Sequence, residues 1–126
     1  MLENLLYLSI GAALGALARF AFTHFSSQLS HHHGFPYGTL LVNVVGSFMV
    51  GYVLTWTADR DHDRWRLFAA TGFCGAFTTF SAFAYETIAY WHQHQFLELA
   101  LNVGLNNVLS ILAVVGGIAF RNGHAN

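Results

Sequence analysis

Gly72-Phe73-Cys74-Gly75-Ala76-Phe77-Thr78-Thr79-Phe80-Ser81-Ala82-Phe83 decides the fold, because it interrupts a long apolar run from Trp65 to Trp91. Gly72, Gly75, the adjacent Thr78 and Thr79, and Ser81 cluster where an unbroken membrane helix is expected. Hydrocarbon supplies no water to solvate backbone groups, so a weak point at that depth survives only buried in protein or lining a cavity. Phe80 and Phe83, one helical turn apart at its edge, point to something bound or conducted at mid-membrane.

Composition leads to the same compartment. The chain has 126 residues, 55% hydrophobic and only 9% charged, and contains no lysine. A soluble domain carries roughly 25% charged residues. This length supports one domain, residues 1–126. Five basic and six acidic residues nearly cancel, which excludes the basic footprint of a nucleic-acid binder. Cys74 is the sole cysteine, so an internal disulfide is excluded, and it reads as an inert core residue. The start, Met1-Leu2-Glu3-Asn4, lacks a basic leader or small-residue cleavage pattern, so the first apolar segment is expected to be retained.

Four segments approach the roughly 20 residues that cross a bilayer core. They cover about residues 5–25, 39–58, 67–91 and 96–120, predicting an all-α membrane protein whose third helix breaks near its middle. The first connection holds His31, His32, His33 and the only proline, Pro36; the second is the charged turn 59–65; the third is the short polar link 92–95. Tyr7, Tyr37, Trp56, Trp65, Tyr90 and Trp91 fall near segment ends, where interfacial aromatic belts lie. Arg60, Arg64, Arg66 and Arg121 share one side and the opposite loops carry no arginine or lysine, which places both termini in the cytoplasm. The histidine tract reads as a solvated loop rather than a metal site.

Polar residues inside the segments carry the candidate site. Arg19 either snorkels to the interface or fixes a positive charge beside an aqueous vestibule. Gly11 and Gly15 form a GxxxG face for close helix packing. Thr39, Asn43 and Ser47 are spaced by four, as are Asn102, Asn106 and Ser110, with Asn107 alongside. An asparagine amide presents two N–H donors to a desolvating anion, and hydroxyls on the same stripe extend the donor line. The alternative for each stripe is hydrogen-bonded glue between helices. Phe80 and Phe83 can turn electropositive ring edges to an anion, which binds without a full charge and still releases it. Glu86 continues their face, as a helix-end acid or a group that gates entry.

Together these residues resemble the Fluc (CrcB) family of fluoride channels, over essentially the whole chain. The resemblance rests on residues 15–19, residues 38–47, and Gly72 to Phe83 with Glu86. It implies an antiparallel, dual-topology dimer with two fluoride pathways between oppositely oriented subunits, in a bacterial cytoplasmic membrane. Backbone carbonyls at Gly75 and Thr78 of both subunits would hold a structural Na⁺ at the dimer centre. Phe80, Phe83, Asn43 and Ser81 match pathway positions, Asn102, Asn106 and Ser110 match a polar track, and Glu86 matches an acid beyond the phenylalanines. Ala76 and Ala82 depart from the family pattern, which weakens any hydroxyl role at residue 82. The arginine asymmetry fits one member of a paired heterodimer, although a homodimer is favoured. Passive fluoride export is therefore expected, with no enzymatic chemistry. The alternatives are a small dual-topology, proton-coupled multidrug transporter and a non-transporting assembly protein.

Overall fold

The computed structural model describes residues 1–29, 35–58 and 62–124, so the expectations for His31 to His33 and Arg60 lie outside the described residues. The described residues form helices without strands: α1 (Leu2–Leu29), α2 (Tyr37–Trp56), a composite α3, then α4 (Phe80–His92) and α5 (Phe96–Gly123). Helix α3 runs through Asp63–Trp65, Arg66–Cys74 and Gly75–Phe77. Four spans are long and apolar enough to cross a membrane: Leu2–Gln28, Tyr37–Trp56, Asp63–His92 and Phe96–Gly123. The helices outrun the expected segments because interfacial residues continue them beyond the hydrocarbon limit, whereas α2 starts and ends two residues early. Pro36, which lacks an N–H and has φ −80°, stands at its N-cap.

Two tight helix pairs make the frame. Helix α1 packs on α3, and α2 packs on α5. Without a hydrophobic drive between helices in lipid, close packing must come from small residues that let backbones meet. A Cβ on Gly11 would collide with the Phe68 carbonyl, and one on Gly15 with the Phe73 carbonyl. Gly72 answers from α3, where a Cβ would press on the Leu8 carbonyl and the Ala12 N–H. The α2–α5 pair uses the same device: Gly51 abuts the Val114 carbonyl, and Gly117 abuts the Phe48 carbonyl. The packing expected of Gly11 and Gly15 is present.

The interruption differs from expectation in place and cause. The glycines do not break the helix; Gly72 packs, and Gly75 is helical at φ −62° and ψ −35°. Instead Arg66–Cys74 is wound with i→i+5 hydrogen bonds, a wide π-type run that helical periodicity does not reveal. The chain leaves helical geometry at Thr78 (φ −78°, ψ 161°) and Thr79 (φ −148°, ψ 115°), two β-branched residues suited to extended backbone. Helix α4 restarts at once because the Thr79 hydroxyl accepts the Ala82 N–H at 3.2 Å, an N-cap.

Aromatic side chains mark both ends. Tyr7, Trp56 and Trp65 lie at one end, where Arg64 sits 5.9 Å from the Tyr7 ring centroid and pairs with Glu3. That exposed ion pair adds little stability, but it ties the starts of α1 and α3 to one side. At the other end Tyr90, Trp91 and Phe96 flank a Schellman turn, in which the Gln95 N–H reaches the Tyr90 carbonyl at 2.9 Å.

Candidate functional site

The break leaves the Thr79 N–H without a helical acceptor, and one side chain takes it together with the Thr79 carbonyl. Asn43 Oδ1 accepts the Thr79 N–H at 2.8 Å, and Asn43 Nδ2 donates to the Thr79 carbonyl at 3.1 Å. Gly46 makes room one turn later, since a Cβ there would strike the Thr78 methyl. A third break group, the Thr78 carbonyl, accepts a hydrogen bond from Arg19 Nη1 at 3.1 Å. Arg19 therefore does not simply snorkel to an interface; α1 carries it to the break.

From Asn43 the bonding continues across α5 in one direction. Asn43 Nδ2 donates to Asn106 Oδ1 at 2.9 Å, and Asn106 Nδ2 donates to Asn102 Oδ1 at 2.9 Å. Asn102 Nδ2 donates to the Thr87 hydroxyl at 3.0 Å, and that hydroxyl donates to the Phe83 carbonyl at 2.8 Å. Asn102 is 0% exposed and Asn106 is buried. The two donors that spacing alone left open on Asn43 are thus both engaged, one by the break and one by α5. The asparagines of the α5 stripe are interhelical glue as much as lining. Ser110, the next residue of that stripe, differs: its hydroxyl is buried with no partner among the described residues.

Two depressions flank the break. The first, about 330 Å³, is lined by Asn43, Ser47, Thr78, Phe80, Phe83, Asn106, Asn107 and Ser110 among others. The Phe80 and Phe83 rings stand 5.4 Å apart between centroids at an interplanar angle of 55°, a tilted arrangement. Phe80 is 78% exposed, on a face that the single chain leaves uncovered. The second depression, about 650 Å³, is lined by Arg19, Thr23, Thr39, Ser81, Tyr85 and Glu86 among others. There the Thr39 hydroxyl donates to Glu86 Oε1 at 2.5 Å, while Glu86 Oε2 is buried with no partner among the described residues. Ser81 lies 3.3 Å from the Thr79 hydroxyl. The residues that the sequence groups as fluoride-pathway candidates therefore fall into two sets, with Thr79 bordering both depressions.

Two residues received no role in the sequence reading. Thr79, placed only in the break cluster, did carry a signal, because a Thr before Phe80-Ser81-Ala82 is an N-cap pattern. Thr87 gave no signal, because nothing in its spacing sets it apart from other helical threonines. Among the described residues no cluster of His, Cys, Asp or Glu could hold a metal ion.

The profile described as CrcB-like protein, Camphor Resistance (CrcB), matches residues 6–118. The chain belongs to the CrcB family. A relative from Koribacter versatilis is 42% identical over 117 residues, covering 91% of this chain and 92% of its own length. One from Thermococcus onnurineus is 43% identical over 118 residues, covering 90% and 93%. One from Campylobacter lari is 37% identical over 123 residues, covering 96% and 100%. Each of these CrcB relatives is named a fluoride-specific ion channel, FluC. With four spanning helices, this CrcB chain is a multi-pass membrane protein.

Proposed function

We propose that this chain is a fluoride-selective channel that passively releases fluoride across a bacterial cytoplasmic membrane and so relieves fluoride toxicity. The observation that carries this reading is the identity of its relatives over nine-tenths of the chain, all named as fluoride channels. The geometry supplies a mechanism. Phe80 and Phe83 offer ring edges beside the unpartnered Ser110 hydroxyl, so an anion meets partial positive charge on one side and an O–H donor on the other. Neither holds a full charge, which favours passage over capture. On the far side of the break, Arg19 supplies the attracting charge, and Thr39 and Ser81 supply hydroxyls. The proton-coupled multidrug reading has no support among the relatives.

The working unit is a pair of oppositely oriented copies, preferably of this chain alone. Phe80 and Tyr85, 78% and 77% exposed, need either lipid or a second subunit against them, and a pathway residue gains a wall only from the latter. A structural Na⁺ at the centre of that pair fits the carbonyl donors. The Thr79 N–H, which would ordinarily bond the Gly75 carbonyl, is turned to Asn43, so Gly75 has an oxygen to offer. The Thr78 carbonyl keeps one lone pair beside its Arg19 contact. When bound, the ion would neutralise such carbonyl dipoles and hold the break rigid. Dialysis of the purified protein into Na⁺-free buffer is expected to lower the population of dimer in cross-linking; an unchanged population would remove the ion from the account.

Phe80→Ile and Phe83→Ile keep apolar bulk but remove the ring edge. Each is expected to slow fluoride efflux from liposomes at least about tenfold while the dimer persists, the scale of losing one anion contact worth roughly 1.4 kcal/mol. Wild-type efflux in both would make the rings packing residues.

A further inference from the structure

Thr87 stands outside both depressions, yet it supplies the acceptor that ends the series of buried amides between α2 and α5. An asparagine amide can sit in either of two flipped orientations, and only its partners decide between them. The Thr79 N–H and carbonyl admit one orientation of Asn43, with Oδ1 on the N–H and Nδ2 on the carbonyl. Asn43 Nδ2 then calls for Oδ1 of Asn106, and Asn106 Nδ2 for Oδ1 of Asn102. That leaves Asn102 Nδ2 as a donor at the far end, where the Thr87 hydroxyl accepts it at 3.0 Å and gives its own proton to the Phe83 carbonyl at 2.8 Å. Each donor in the series has an acceptor and no proton is duplicated.

We propose that Thr87 is a positioning residue, whose hydroxyl satisfies the terminal donor of the Asn43, Asn106 and Asn102 series and so holds these amides, and with them the break beside Phe80, in place. The role passes through the fluoride-channel reading only in its effect on flux; the orientation itself stands on the hydrogen bonds. A valine at 87 has the same shape but no acceptor, leaving Asn102 Nδ2 with only the Phe83 carbonyl at 3.5 Å. Asn102 is fully buried, so it has no water to turn to.

Two measurements test this. In liposomes, Thr87→Val is expected to slow fluoride efflux about tenfold, whereas Thr87→Ser, which keeps the hydroxyl, retains the wild-type rate. Equal rates for Val and wild type would overturn the proposal, as would a serine variant as slow as the valine. In case the valine variant does not fold, Thr87→Ala carries the same expectation. Independently of flux, the side-chain amide hydrogens of Asn102 and Asn106 are expected to exchange with D₂O at least about tenfold faster in Thr87→Val than in the wild type, because the terminal donor loses its acceptor. Unchanged exchange in the valine variant would overturn the proposal even where efflux is slowed. A wild-type protein that passes no fluoride would instead sink the channel reading, and the exchange result would still decide the role of Thr87.

Discussion

Asn43→Leu is expected to abolish fluoride efflux and to destabilise the protein by about 2–6 kcal/mol, because it orphans two polar groups at once, the Thr79 N–H and Asn106 Oδ1. Leucine has the same branched arrangement of side-chain heavy atoms as asparagine but none of its polar atoms, so the chief effect is chemical. It removes the acceptor for the Thr79 N–H and the donor to the Thr79 carbonyl. A buried group left without its partner costs roughly 1–3 kcal/mol, and the membrane interior offers no water in compensation. Asn106 Oδ1 loses its donor as well. Thermal unfolding in detergent measures the stability change. A variant with unaltered melting and unaltered efflux would show that the break does not need Asn43.

The second large effect separates two adjacent glycines. Gly117→Ala is expected to destabilise the α2–α5 pair by about 1–3 kcal/mol, the range for overpacking a filled interface, while Gly116→Ala leaves stability unchanged or slightly raised. A Cβ at residue 117 would collide with the Phe48 carbonyl, which belongs to backbone and cannot rotate away. A Cβ at residue 116 meets only the Phe48 ring at 3.8 Å, an ordinary contact. Alanine is also the better helix former, by roughly 1 kcal/mol. The contrast is read in detergent melting curves; similar behaviour of the two variants would contradict the backbone approach on which the frame rests.

The four spans and the existence of the break were legible because hydropathy and small-residue spacing are local properties. Gly11 and Gly15 announced their packing because four residues bring them to one helix face. The stripes were legible only as stripes. Thr39, Asn43 and Ser47 share a face by spacing, yet Thr39 bonds Glu86, Asn43 clamps Thr79, and Ser47 lines the first depression. Each step of four residues drifts about 40° around a helix, so the first and last of three already meet different neighbours. Whether the Asn43 donors face an anion or the protein depends on where α3 breaks and on what α5 presents. That is a tertiary matter which spacing does not encode. The π-type winding of Arg66–Cys74 was hidden for the same reason, since it answers to α1 glycines far away in the chain.

The quoted stretch divides into three parts. Gly72 to Phe77 is packed helix, Thr78 and Thr79 are the interruption, and Phe80 to Phe83 open the face of α4 that borders the first depression. Arg19 and Asn43 hold the interruption from opposite sides, through the Thr78 carbonyl and through both backbone groups of Thr79.

Efflux from liposomes containing this chain as the sole protein tests the whole account most directly, with fluoride and chloride followed in parallel by ion-selective electrodes. Rapid release of fluoride with negligible release of chloride is the predicted result, and would also show that one chain suffices to form the pair. Retention of fluoride, or release of both halides alike, would contradict it.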